Sequence, residues 1–445
     1  MKILFVTHGL PPEKLGGIEA HVDQLARGLS AQDEIEVLVP SDDETIPWFG
    51  TRRSDRDGFT LLETRVKRDG LRFEHLYWNR RIDEMFEQVL EGSMPDIVHF
   101  HSLIHLSFGM LEVTRSRRIQ AVGSLHDFYY SCPLGQRIRR DLETCPEIDR
   151  SRCQECLSQP GARDEGSGFL AGSLRWGRSL AYRWIKAPGH DQLLRQDLRM
   201  REALAGLDAV ITPSEFARKQ ILGYAREHGL AEDRVHVIPY GLDKQAFGPR
   251  EDRPGKAGPV RIGYIGTLIP TKGIQVLLEA FEGLPPGLAT LDIHGALPEG
   301  PETRELRNRL AQAARPVEGQ APGIRLHGRY LPEQAPGILR DLDILVVPSI
   351  WYETWCITIR EGFLASVPVL ASRLGAMEEA IEDGLTGLLF EPGNQADLGE
   401  KLLTLIQDPS LRQRLAVAPK TVPDAAECRA RIRALYGSIR HEPTP

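Results

Sequence analysis

Short, almost wholly apolar runs alternate with helix-spaced stretches along this chain, and the alternation starts twice. The first series is KILFVTHG, EIEVLVPS, DIVHFHS, QAVGSLHD and DAVITPS; the second is VRIGYIGT, ATLDIHG, IRLHGR, DILVVPS, PVLAS and GLLF. Runs this continuous suit strands buried on both faces, as in a parallel sheet with helices on each side. IEAHVDQLARGL and IQVLLEAFEGL supply helices of that kind. Between the series lies GPREDRPGKAGP, residues 248–259, polar and bearing Gly and Pro. The expected fold is α/β, with two doubly wound Rossmann-like domains at 1–250 and 251–423. Ligands of such domains lie at the carboxyl ends of strands and in the cleft between the domains. A length of 445 residues agrees, being too great for one ordinary core.

Composition excludes several classes. A formal charge of -7, with 41% hydrophobic and 26% charged residues, gives no electrostatic reason to expect nucleic acid. MKILFVTHGLPPEK has an apolar run too short for a secretory signal and reads as a first buried strand. No stretch approaches the roughly 20 apolar residues of a membrane span. The expectation is a cytoplasmic protein, with peripheral membrane contact as an open question.

Three loops at strand ends carry chemistry. Gly16 and Gly17 lead into a helix with apolar positions at Ile18, Val22, Leu25 and Leu29. Glycines allow close backbone approach, and a helix N-terminus offers free N–H groups to an anion; an ordinary strand-to-helix turn is the alternative. IGTLIPTKG repeats the device, with Lys272 before a second helix. A lysine there opposes the helix dipole unless an anion lies between them. In WYETWCITIRE, Glu353 and Glu361 are separated by seven residues, and a helix begins near Ile357 or Thr358. Two residues eight apart on one straight helix diverge by about 80°. Glu353 therefore has to lie in the preceding loop if both carboxylates serve one ligand.

These residues resemble glycosyltransferase family 4, the retaining GT-B enzymes. The resemblance rests on Gly16-Gly17, GTLIPTKG, PSIWYETWCITIREGFLASVPVLAS and GAMEEAIEDGLTGLLFEPGN. It spans nearly the whole chain and is weakest over 42–90 and 130–200. It implies an N-terminal acceptor-side domain and a C-terminal nucleotide-sugar domain. Lys272, with Gly16 and Gly17 opposite, would bind the donor diphosphate, and Thr267, Ile357 and Thr358 would border that site. Glu361 would hold the ribose hydroxyls, and Glu353 the transferred sugar near its phosphate. His126, in SLHDFYY, matches the family's active-site histidine and with Glu353 is assigned to catalysis. The family needs no cofactor or divalent metal beyond its nucleotide-sugar co-substrate. The implied acceptor is a glycan, a lipid-linked glycan or a small molecule. Two departures stand out: Thr267 replaces an arginine common in relatives, and Thr354-Trp355-Cys356 replaces Gly-Phe-Gly.

Cys132, Cys145, Cys153 and Cys156 cluster within an insertion at about 130–200. A structural zinc site, unliganded thiols, a disulfide and an iron–sulfur cluster are the readings they allow. Residues 168–204 interleave arginines with Phe and Trp; a helix packed on the first domain and a membrane-surface helix both fit. A last helix at about 424–440 is expected to cross back to the first domain, with Arg429, Arg431 and Arg433 on a solvated face. Besides a transferase, the sequence leaves open another GT-B enzyme such as an epimerase, and a catalytically silent sugar-nucleotide or glycan-binding protein.

Overall fold

The computed structural model describes residues 1–14, 16–66, 73–158, 188–248, 258–300, 303–315, 323–418 and 420–439. The first sheet holds β1 (Lys2–Val6), β2 (Glu34–Pro40), β3 (Thr51–Arg56), β4 (Phe59–Thr64), β5 (Ile97–Phe100), β6 (Gln120–Ser124), β7 (Ala209–Thr212) and β8 (Val235–Val237), in the order β3-β4-β2-β1-β5-β6-β7-β8. The second holds β9 (Val260–Ile265), β10 (Ala289–His294), β11 (Ile324–Gly328), β12 (Ile344–Val347), β13 (Val369–Ser372) and β14 (Leu388–Phe390), in the order β11-β10-β9-β12-β13-β14. All pairs are parallel except β3 with β4. Every apolar run read as a strand is one.

The runs are continuous because each strand feeds two cores. Leu4 and Val6 pack into one cluster of the first domain, Ile3 and Phe5 into the other. In the second domain Ile344 and Val346 face one cluster, Leu345 and Val347 the other. Each such side chain, fully buried, contributes roughly 1.5–3 kcal/mol of transfer free energy.

The helices between strands of the first domain are α1 (Gly17–Leu29), α2 (Arg80–Ser93), α3 (Gly109–Ser116), α4 (Arg150–Ser158), α5 (His190–Ala205) and α6 (Glu215–Ala225). The second domain carries α7 (Ile274–Glu282), α8 (Arg304–Ala313), α9 (Ala335–Arg340), α10 (Ile357–Leu364), α11 (Ala376–Ala380), α12 (Gln395–Gln407) and α13 (Pro409–Val417). Residues 168–187 of the arginine- and aromatic-bearing segment lie outside the described residues. The rest of that segment is α5, which packs Leu193, Met200 and Leu204 into the first domain.

The β3–β4 hairpin was not legible as apolar runs. β3 is a charged, exposed edge strand, and Asp57-Gly58 between the two has positive φ at both residues, 38° and 96°. That is the two-residue turn that suits strand twist, and charge on an edge strand deters pairing with other chains.

The last helix, α14 (Ala425–Ile439), does return to the first domain and buries Cys428, Ile432, Leu435 and Tyr436 there. Its basic face is not merely solvated, as had been expected. Arg433 Nε donates to Asp33 at 2.8 Å, Arg431 to the Val237 carbonyl at 2.7 Å, and Arg429 lies against Gly28. These anchors add polar contacts to the four apolar side chains that seat the helix on the first domain. Among the described residues, no helix is long and apolar enough to cross a membrane.

Candidate active site

The strand carboxyl ends of both domains face one cleft. From the second domain, the loop after β12 carries Glu353, which is only 8% exposed. Its Oε1 accepts from Lys272 Nζ at 2.6 Å, Trp351 Nε1 at 2.8 Å and Ser349 Oγ at 3.0 Å. Burial works against the charge on Lys272, yet the Glu353 carboxylate holds the ammonium above its usual range. The ammonium also lies 5.2 Å from the Trp351 ring centroid, a cation–π distance. Lys272 ends a short 3-10 turn, and Gly273, at φ 72°, begins α7.

Glu361 sits in the second turn of α10, half-buried, where burial pushes its carboxyl up to about 7. The nearby Glu361 also helps, after burial, to raise the Tyr330 hydroxyl. Glu353, in the loop, and Glu361, in the helix, are thus aimed independently, as their spacing required. Ile357 and Thr358 form the first turn of α10 and are half-buried.

That raised carboxyl has a measurable consequence. A group whose folded pKa rises from 4.5 to about 7 takes up a proton on folding between those values. Its contribution to stability is fully present below the lower value and lost as pH rises through the upper one. Glu361→Gln is therefore expected to exceed wild type in urea stability by roughly 2–3 kcal/mol at about pH 8, with little difference at about pH 4. A difference that does not change with pH would contradict the burial.

From the first domain, Gly16 is the extended N-cap of α1, with φ -169°, and Gly17 opens the helix. A Cβ on Gly17 would stand 3.0 Å from Ile357 Cδ1, so the N-terminal ends of α1 and α10 meet across the cleft. His126 follows β6 and is 7% exposed. Its Nε2 is 3.0 Å from His101 Nδ1, and its Nδ1 shares a short hydrogen bond with the Tyr240 hydroxyl. Burial, then the neighbouring imidazoles of His21 and His99, holds its pKa well below the usual histidine range, so the ring is neutral.

Thr354 joins the halves. Its Oγ1 donates to the His126 carbonyl at 2.8 Å, and its own carbonyl accepts from Ser214 Oγ at 2.7 Å. Glu379 accepts from the backbone N–H of Glu215 and Phe216, capping α6 from the other domain. The departure Thr354-Trp355-Cys356 is held by Arg360, 4% exposed, which donates to the carbonyls of Trp355 and Cys356 and lies 3.7 Å from the Trp355 ring centroid. Cys356 takes φ 56°, a left-handed position where glycine is easier. Thr267 is exposed, and its carbonyl accepts from Tyr264 OH at 2.9 Å.

Tyr240, His101 and Thr354 were not singled out from the sequence as site residues. A signal existed for His101. His99 and His101 alternate along and just beyond β5, and two-residue spacing puts them on one face. Tyr240 gave none, its contact spanning 114 residues, and Thr354 stood out only within the departure Thr354-Trp355-Cys356, its contact across 228 residues being out of reach of the sequence.

Cys132, Cys145, Cys153 and Cys156 line one cavity, and all are free thiols. Burial, then the neighbouring thiols, pushes Cys145 up to about 11. Among the described residues, no group of three or more His, Cys, Asp or Glu side chains is arranged as it stands to hold a metal ion.

Residues 16–241 match the model of the glycosyl transferase 4-like domain, and 259–408 that of glycosyl transferases group 1. An uncharacterized glycosyltransferase of Methanocaldococcus jannaschii is 28% identical over 48% of this chain and 54% of its own length. The D-inositol 3-phosphate glycosyltransferase of Nocardiopsis dassonvillei is 28% identical over 52% of each chain. The chain thus spans about half the length of these curated relatives. Among solved structures, HepE of Anabaena with UDP and glucose superposes at TM-score 0.63 and 18% identity, over 98% of this chain and 100% of that one. A glycosyltransferase of Rickettsia africae gives 0.65 at 17%, over 98% of each. Since one family model alone covers half the sequence and the two-domain fold is shared, the chain belongs to the GT-B glycosyltransferases of the glycosyl transferase 4-like and group 1 families.

Proposed function

We propose that this chain moves a sugar from a nucleotide-sugar donor to an acceptor hydroxyl, with retention of anomeric configuration and without a divalent metal. The observation that carries the reading is the meeting of two helix N-termini, at Gly17 and Ile357, in a cleft that also holds the Lys272–Glu353 pair. A departing diphosphate needs donors fixed in advance, and helix N-termini and a half-buried, ion-paired ammonium are such donors. Structures with a related fold are described with UDP and with UDP-glucose, which makes a uridine donor the first to try.

In this reading the bond from the anomeric carbon to the phosphate oxygen breaks first, leaving an oxocarbenium-like centre. Lys272 and the N–H groups after Gly16 take up the charge growing on the diphosphate. The acceptor oxygen bonds to the anomeric carbon from the same face, and its proton passes to the departing phosphate. Glu353 steers Lys272 and borders the sugar, and Glu361 binds the ribose hydroxyls. His126 is a neutral group against the sugar, held in place by Tyr240 and His101. Thr354, Ser214 and Glu379 keep the cleft closed against water, which limits hydrolysis of the donor. The acceptor is a glycan, a lipid-linked glycan or a small molecule, peripheral contact with a membrane being one route to the second.

The test is release of nucleoside diphosphate from a panel of nucleotide sugars, with and without an acceptor pool, followed by NMR of the product. Release that depends on acceptor, with the product's anomeric configuration equal to the donor's, is the expected result. Binding without release under every acceptor would indicate a silent relative, and inverted product would remove the retaining mechanism.

A further inference from the structure

The segment from Cys132 to Ser158 has little regular structure: a single bridge, Ile138 with Thr144, and the short helix α4. It nevertheless does something demanding. Ile138, 3% exposed, leaves its own domain and lies in the hydrophobic cluster of the second one, while Arg137 stacks near Tyr352 of the loop that carries Glu353. The segment is therefore a strap from one domain to the other beside the cleft. A loop of this length gains too little from burial to fix its own shape, which is why small irregular segments are commonly stapled by disulfides or metals.

The thiols are placed to act as the staple. Cys153 and Cys156 are three apart on α4 and so share one helix face. Cys132 opens a tight turn in which Gly135 N–H returns to the Cys132 carbonyl at 2.7 Å, with Gly135 at φ 73°. Cys145 closes the hairpin, its N–H donating to Arg137 O at 2.8 Å. All four side chains border the same cavity, and Arg150 ties α4 to it by donating to the Ser131 carbonyl at 3.0 Å and to Asp197. Two thiols on a helix face, one at a tight turn and one at the end of the short hairpin make a four-thiol set.

We infer that Cys132, Cys145, Cys153 and Cys156 bind one structural zinc ion that fastens the strap across the two domains. Among the described residues the four thiols form no metal-ready group as they stand, so binding has to draw them together across the cavity they line. Four sulfurs at about 2.3 Å from the ion would leave no open position, so the zinc would take no part in catalysis. This inference does not depend on the proposed reaction.

The experiment is metal analysis of the chain purified without chelator, joined to Co2+ titration of the stripped, reduced protein. About one zinc per chain is expected, released by a thiol-reactive mercurial, with a thiolate-to-cobalt charge-transfer band that saturates at the same ratio and fades on adding Zn2+. Cys153→Ser with Cys156→Ser should abolish the band, and Cys428→Ser should leave it intact. Mercurial release from the wild type keeps the test valid if the double variant does not fold. Zinc below about a tenth of an equivalent together with no charge-transfer band, a band that survives the double serine variant, or iron in place of zinc would each overturn the proposal.

Discussion

Lys272→Ala is expected to lower kcat by roughly 10²–10³-fold, the usual cost of removing one donor that stabilises charge only as it develops. The ammonium reaches Glu353 at 2.6 Å, and its side chain is 28% exposed, so it is held by the protein yet open to a ligand in the cleft. Arginine should not restore the rate, because a planar fork does not reproduce a point charge seated over the Trp351 ring. Steady-state kinetics at saturating donor, with melting temperature as a control for folding, make the comparison. A rise in KM with kcat unchanged would mean that Lys272 serves ground-state binding alone.

Gly273→Ala, one residue on, is expected to be among the most destabilising single changes in the second domain. The residue sits at φ 72°, and a Cβ there would stand 1.8 Å from the Pro348 carbonyl oxygen. A left-handed alanine costs about 1–2 kcal/mol before any clash. Relief of the clash needs α7 to move away from the loop after β12, which breaks the bond from Ile350 N–H to Thr271 O at 3.0 Å and shifts Lys272 from Glu353. A loss of at least about 3 kcal/mol in urea unfolding is expected, with activity falling alongside. A loss below about 1 kcal/mol would show that the two loops are not packed this closely.

Both changes fall in a motif that was readable from the sequence, and the reason is local. Lys272 and Gly273 stand at a helix start, where charge sign and glycine each have a short-range meaning. Glu353 and Glu361 were separable for the same reason, since helical rotation alone required one of them to lie outside α10. The two sheets were legible because their strands are buried on both faces, which leaves continuous apolar runs. The β3–β4 hairpin was not, because an exposed charged strand has no apolar signature and only Asp57-Gly58 marks it. The contacts of His126 with Tyr240 and Thr354 were hidden by distance along the chain, as was the crossing of Ile138 into the other domain. Thr354-Trp355-Cys356, seen first only as a departure from the family pattern, has a structural account in Arg360 behind it and Ser214 and His126 across from it.

The most direct single measurement is the shift in melting temperature of wild type and Glu361→Ala with UDP, GDP, ADP and dTDP. A ligand present at 100 times its dissociation constant adds about 2.7 kcal/mol to the folded state. One nucleoside diphosphate is expected to raise the melting temperature of the wild type by several degrees and to lose that effect in Glu361→Ala. No shift with any of the four, or an equal shift in both proteins, would contradict a nucleotide-sugar site built on Lys272 and Glu361.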